Sequence, residues 1–214
     1  MRWIVLDIET AASKISDEEV IRYFARRKSE LMLEVHPLFS KVIHIGIMWE
    51  GRTEHFSGGH EDENLSDLWS FFEEKEGFVD GLQRNRYGDY EGMGDPIQLV
   101  TFNGDEFDIP FLLFRSSLWG IKPSVGIETY PYRGMTKSNH FDCLRFIAGT
   151  DAKKKVRLEI ACRVLGINVP EFKMPEGGIR AFYQDGNWDQ IKQKNERDLT
   201  LTRDLYLKLI GKSP

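Results

Sequence analysis

Cysteine is almost missing from this chain of 214 residues: Cys143 and Cys162 are the only two. A disulfide framework is therefore excluded, and a reducing compartment is the expected home. Long apolar runs are missing as well, since none approaches the roughly 18 residues that span a bilayer. After Met1 and Arg2, the short run Trp3-Ile4-Val5-Leu6 meets acidic residues at once, with neither the length nor the cleavage site of a signal peptide. A soluble, cytoplasmic protein is expected. Charge of one sign is also lacking: 29 Lys and Arg stand against 34 Asp and Glu, a net of −5. That balance argues against a protein that coats nucleic acid by bulk charge. It leaves open an enzyme acting on nucleic acid, because carboxylates that gather metal ions regain positive potential once loaded. Repeats, low-complexity tracts and linkers are absent, which points to one domain over residues 1–214.

What is present suffices for a core, with 41% hydrophobic and 12% aromatic residues. Residues 2–8 (RWIVLDI) and 41–49 (KVIHIGIMW) read as buried strands, and Glu50-Gly51 turns into a third strand near 52–57. A helical pattern runs from Asp17 to about Val35, with Val20, Ile21, Phe24, Leu31 and Leu33 apolar, and His36-Pro37 closes it. Asn64 or Ser66 is placed to cap a helix reaching Glu76. Residues 77–96, rich in Gly, Asp, Tyr and Arg, read as a loop or insertion. A strand at 97–102 precedes a helix from Ile109 to Trp119, a short strand is expected within 139–146, and helices near 156–166 and 187–211 finish the chain. Strands early and helices interleaved predict a mixed α/β sheet covered on both faces. Two local basic runs, Arg26-Arg27-Lys28 and Lys153-Lys154-Lys155-Val156-Arg157, read first as solvated faces.

Three segments carry chemistry. In Asp7-Ile8-Glu9-Thr10, side chains two apart on a strand share a side, so two carboxylates converge while Ile8 enters the core. Adjacent anions repel, and a cation between them explains their company; two exposed acids at a strand end are the plainer account. Asn103-Gly104-Asp105-Glu106-Phe107-Asp108 repeats the theme of strand, tight turn and carboxylate at a helix start. There Asn103 can offer an amide to a substrate, Phe107 can wedge against a base or fill the core, and Asp108 can ligate or merely cap the helix. On the last helix, positions 188, 191, 195, 198, 202, 205 and 209 share a face that is apolar at its ends and polar at Asn195, Asp198 and Thr202. Polar groups in an inward stripe need something to meet, either a polar site or an interhelical hydrogen bond.

DIET, NGDEFDIPF and the late Asn195-x-x-Asp198 resemble the three motifs of the DEDD (DnaQ-like) 3′-to-5′ exonucleases, and the order of elements is similar to stand-alone relatives of the proofreading domain of family B DNA polymerases. RLEIACRVLGI and AFYQDGNWDQI also resemble the helix and connector preceding the third motif there. The resemblance implies a ribonuclease-H-like, three-layer α/β/α fold around a mixed sheet of about five strands. It makes Asp7, Glu9, Asp108 and Asp198 the catalytic set for two magnesium or manganese ions, and Thr10, Asn103, Phe107, Lys194 and Asn195 the substrate contacts. Its implied substrate is the 3′ end of DNA or RNA, single-stranded by expectation, with replication or repair as the setting and a polymerase as a conceivable partner. The implied mechanism is an in-line displacement at phosphorus assisted by two ions roughly 4 Å apart.

One departure stands out. These exonucleases carry a tyrosine four residues, or a histidine five, before the last aspartate; here those positions hold Lys194 and Gln193. Glutamine takes no proton, and carboxylates beside Lys194 hold its ammonium charged. Lys194 is left to contact phosphate or to pair with Asp198 one turn away. His140, beside Asp142, is either a replacement base or a structural histidine. An attenuated exonuclease is thus the first expectation. A binding or interaction module that kept the fold without activity is its rival, and a phosphoesterase acting on nucleotides is a third reading.

Overall fold

The computed structural model describes residues 2–13, 16–27, 35–75, 97–125, 127 and 139–212, with backbone only for 24–27. The side chains of Phe24 and of the run Arg26-Arg27-Lys28, together with Leu31, Leu33 and the expected insertion 77–96, lie outside them.

Five strands form one mixed sheet: β1 (Arg2–Ala12), β2 (Ser40–Trp49), β3 (Arg52–Ser57), β4 (Ile97–Thr101) and β5 (His140–Asp142), in the order β3-β2-β1-β4-β5. The first three make an antiparallel meander, and β4 and β5 join parallel to β1. Helix α1 (Glu18–Arg27) follows β1, and its expected extension to Val35 falls largely on residues not described. On one face lie α2 (Glu61–Glu74) and α3 (Asp108–Leu118); on the other lie α4 (Cys143–Ala148), α5 (Leu158–Val164), α6 (Gly178–Gln184) and the long α7 (Trp188–Leu209). A sheet buried on both sides has to be apolar on both sides. Along β1, Ile4, Leu6 and Ile8 meet Leu65, Leu68, Phe72 and Phe111, while Val5 meets Leu199, Leu205 and Tyr206. Both cysteines are buried and unpaired in this second core.

Several boundaries differ from expectation. Helix α2 begins at Glu61, before either proposed cap, because its first turn is acidic and complements the helix dipole. The Glu61 carboxylate is also claimed there, by Val42 N–H at 2.7 Å, by the Arg115 guanidinium and by the Trp119 indole N–H at 2.9 Å. The strand expected within 139–146 is only three residues long, since the Asp142 side chain accepts from the amides of Leu144 and Arg145 and starts α4. Helix α6, which the Gly-rich 176–187 stretch obscures, was not foreseen as a separate helix.

The decisive difference concerns β1. It does not stop after residue 8 but runs to Ala12, paired with β2 from Ile4 onward and bulged between Glu9 and Thr10. Its pairing with β4 covers only Arg2 to Val5. Beyond Val5, β1 has outrun its parallel neighbour. The candidate acids therefore lie inside a strand, at the notch where β4 turns away.

Candidate active site

The notch is built from three elements. β4 ends at Thr101, and the chain turns back through Asn103, which adopts the left-handed φ of 68° that asparagine tolerates. Gly104 is obligatory, because a Cβ there would stand 2.2 Å from Thr101 Oγ1. The Asn103 carbonyl accepts from the amides of Glu106 and Phe107, which delivers Asp108 as the first residue of α3. Asp108 does not cap its own helix; Phe107 occupies that position. Its Oδ1 instead accepts the Ile8 N–H at 3.1 Å, the β1 donor left beyond the end of β4.

Asp7 and Glu9 share the face of β1 that α7 covers. Asn195, fully buried, donates through Nδ2 to the Asp7 carbonyl at 3.1 Å and to Asp7 Oδ2 at 2.8 Å. This approach needs Gly46, the register partner of Asp7 on β2: a Cβ there would come within 1.6 Å of Asn195 Oδ1. Next to Asn195 and one turn before Asp198, Lys194 donates from Nζ to Glu9 Oε1 at 2.6 Å and stands 3.2 Å from Asp198 Oδ2. Asp198 Oδ1 is held by Arg197 at 2.8 Å, and Arg197 also binds Glu159 and the Pro170 carbonyl. The acids named from sequence on three distant segments thus meet in one place. The inward seam of α7 is centred on Ile191, Asn195, Leu199, Thr202 and Leu205, so Asp198 sits at its edge with a side chain 13% exposed.

The electrostatics are costly. Burial raises the Asp7 carboxyl well above its ordinary range, Lys194 opposes this, and Glu9, Asp108 and Asp198 raise it further. Burial likewise raises Glu9 against the pull of Lys194. Asp108 is pushed up to about 7 by burial, with the Ile8 N–H opposing. Lys194 itself is held above its usual value by Glu9, Asp7 and Asp198 despite burial. An all-oxygen, anionic donor set of this kind suits hard divalent cations such as magnesium or manganese rather than zinc. Yet among the described residues no group of three or more Asp, Glu, His or Cys side chains is arranged to hold a metal ion as it stands.

The remaining expected residues divide. Thr10 is half-buried just past the bulge, and Asn103 is half-buried beside a small cleft shared with Glu106, Arg145 and Lys155. Phe107 packs against Phe111, with centroids 5.4 Å apart, and against the core under α3, so its ring is largely occupied by structure. His140 is spent too: one ring nitrogen lies 2.8 Å from Thr101 Oγ1 and the other 3.0 Å from Asp105 Oδ1. Sequence reasoning missed Gly46 and Arg197. It also missed a line running outward from buried His44, the register partner of Glu9, which meets His55 at 3.0 Å, and His55 meets Glu196 at 3.1 Å. A glycine inside the apolar strand KVIHIGIMW was the available signal for the first, since it marks a close approach.

Sheet order, notch and acids together define a ribonuclease-H-like α/β protein. The chain belongs to the family described as predicted 3′-5′ exonuclease related to the exonuclease domain of PolB, whose model matches residues 39–212 and so begins after Asp7 and Glu9. The fold is similar to that of the family B DNA polymerase from the hyperthermophilic archaeon Pyrobaculum calidifontis, with a TM-score of 0.60 and 16% identity. The alignment covers 98% of this chain but 24% of the polymerase chain. No curated protein matches the sequence. Among the described residues, no helix is long and apolar enough to cross a membrane.

Proposed function

We propose that the chain is a metal-dependent 3′-to-5′ exonuclease in which Asp7, Glu9, Asp108 and Asp198 hold divalent magnesium or manganese and the 3′ end of a DNA or RNA strand enters the notch. The observation that carries this reading is the convergence of four carboxylates, three of them with raised proton affinity, where β1 outruns β4. Such crowding destabilises the apo protein and is explained by a cationic occupant. Bound divalent ions supply the Lewis acidity that phosphodiester cleavage needs.

The chain's own residues prepare that chemistry. Asn195 fixes the rotamer of Asp7, the Ile8 amide fixes Asp108, and Arg197 fixes one oxygen of Asp198. Lys155 pairs with Glu106, so the basic run 153–157 leans on the loop that delivers Asp108. Lys153 and Lys154 are exposed there, suitably placed to meet a phosphate backbone. Among the described residues, neither His140 nor His44 takes the missing base position. His140 is locked, and His44, pushed down to about 4 chiefly by burial, is neutral at pH 7 and engaged with His55.

The test is hydrolysis of a single-stranded oligonucleotide, labelled at its 5′ end, with magnesium or manganese present. Asp108→Ala and Asp198→Asn are each expected to lower the rate about 100-fold or more, and chelation is expected to abolish it. Either variant retaining the wild-type rate defeats the assignment. Products shortening from the 5′ end, or cleavage confined to mononucleotides, would replace it with a different phosphoesterase activity.

A further inference from the structure

We propose that the Lys194 ammonium is the resident cation of the acid cluster, bridging Glu9 and Asp198 so that a divalent ion reaches those two carboxylates only after Lys194 has left. The inference rests on the metal-dependent reading above and adds how the site is kept closed when no metal is supplied.

Geometry is the first support. Lys194 Nζ is 2.6 Å from Glu9 Oε1 and 3.2 Å from Asp198 Oδ2, so a single cation already joins β1 to α7 across the cluster. An ammonium hydrogen-bonded to one carboxylate and ion-paired with the other takes up the electrostatic role that a metal would have. This also accounts for a cluster that gathers acids without presenting a metal-ready set among the described residues.

A second support is that the lysine can leave without dismantling the site. Its side chain is 21% exposed, whereas that of Glu9 is 6% exposed, so the lysine stem lies nearer the surface than the carboxylate it pairs with. The four-carbon stem swings on rotatable bonds, and a lysine ammonium has no fixed fork that locks it in place. When it departs, Glu9 stays enclosed by its burial, and the acids on either side keep their own donors. Asp198 keeps Arg197, and Asp7 keeps Asn195. Divalent charge is the natural displacer, since two positive charges offset more of the repulsion than one.

Two measurements on the whole chain test this. Manganese binding, read by electron paramagnetic resonance of the free ion, is expected to be tighter in Lys194→Met than in the wild type by on the order of tenfold. Should that variant fold poorly, the wild type alone decides through amine acylation followed by peptide mass spectrometry. Lys194 is expected to be protected in chelator and to become labelled as manganese saturates the protein, with Lys153 and Lys154 unchanged as exposed references. Equal manganese affinity in both proteins, or a Lys194 that stays protected under saturating manganese, overturns the resident-cation proposal while leaving the metal-dependent reading intact. Manganese binding to neither protein overturns both.

Discussion

Two groups of buried carboxylates lie around the end of β4 and are treated in opposite ways. At Asp142, both carboxylate oxygens have backbone partners. Its Oδ1 accepts from the amides of Asn103, Leu144 and Arg145, and its Oδ2 accepts from that of Asp105. Asp105 in turn meets His140, whose other nitrogen meets Thr101. Around Asp7, Glu9 and Asp108 the internal donors are few: one asparagine amide, one lysine and the backbone N–H groups of Ile8 and of Asp108 itself. These three carboxyls all have raised proton affinity. Burial alone therefore does not mark a functional acid. A filled set of hydrogen bonds marks a structural one, and an unfilled set under mutual repulsion marks a place reserved for something else.

The largest expected effect tests the structural half. In Asp142→Asn, an NH2 must face at least one of the N–H donors that the carboxylate now accepts, and the charge that strengthens all four bonds is lost. Stability is expected to fall by about 4 kcal/mol, read as a shift of the urea midpoint. A loss under about 1 kcal/mol would break the contrast.

That contrast explains how much of the site was legible beforehand. The spacing of Asp7 and Glu9 on a strand, of Asp108 at a helix start and of Asp198 on a helical stripe follows from local periodicity, and the structure brings all four together. What sequence could not supply was which neighbour each acid meets. Asp142 looked like a companion to His140 and proved to be the clamp of the 103–106 turn, because its partners are backbone amides that carry no side-chain signature. Phe107 proved mostly structural, because its ring falls against Phe111. Lys194 pairs with Asp198, one of the two roles open to it in the sequence and one turn off on the same helix, but its shorter contact with Glu9 spans 185 positions and has no local signal. The fold was legible for a related reason. Two-sided apolar strands dictate helices on both faces, whereas the end of β1 depends on where β4 turns away.

A medium effect probes the functional half through pH, with chelator present. Asp108 titrates near 3.8 when unfolded and at about 7 when folded, so in that window the native state binds more protons than the unfolded chain. Its contribution to stability is therefore complete below about 3.8 and is lost as pH rises towards 7, a change of up to a few kcal/mol. Asp7 and Glu9 act in the same direction. His44, lowered from 6.5 to about 4, acts in the opposite one, losing stability as pH falls through that range. The clean measurement is thus the stability of wild type minus that of Asp108→Asn, followed by urea unfolding from pH 4 to 8. The difference should decline up to about pH 7 and then level off. A difference independent of pH would mean that Asp108 is not held under repulsion.

The smallest effect carries the sharpest sign. Asp7→Asn makes the same chemical change as Asp142→Asn, at a carboxylate whose charged form the fold disfavours. The amide oxygen can still accept from Asn195 Nδ2, so the 2.8 Å contact survives. Repulsion from Glu9, Asp108 and Asp198 disappears, although attraction to Lys194 disappears with it. Because burial and the three acids together outweigh the lysine, the metal-free variant at pH 8 is expected to be more stable than wild type by about 1 kcal/mol. Manganese should then stabilise the variant less than it stabilises wild type, which erases or reverses the difference. If Asp7→Asn instead weakens the metal-free protein as Asp142→Asn does, Asp7 is a structural acid like its neighbour, and the crowding in the notch needs no ion to explain it.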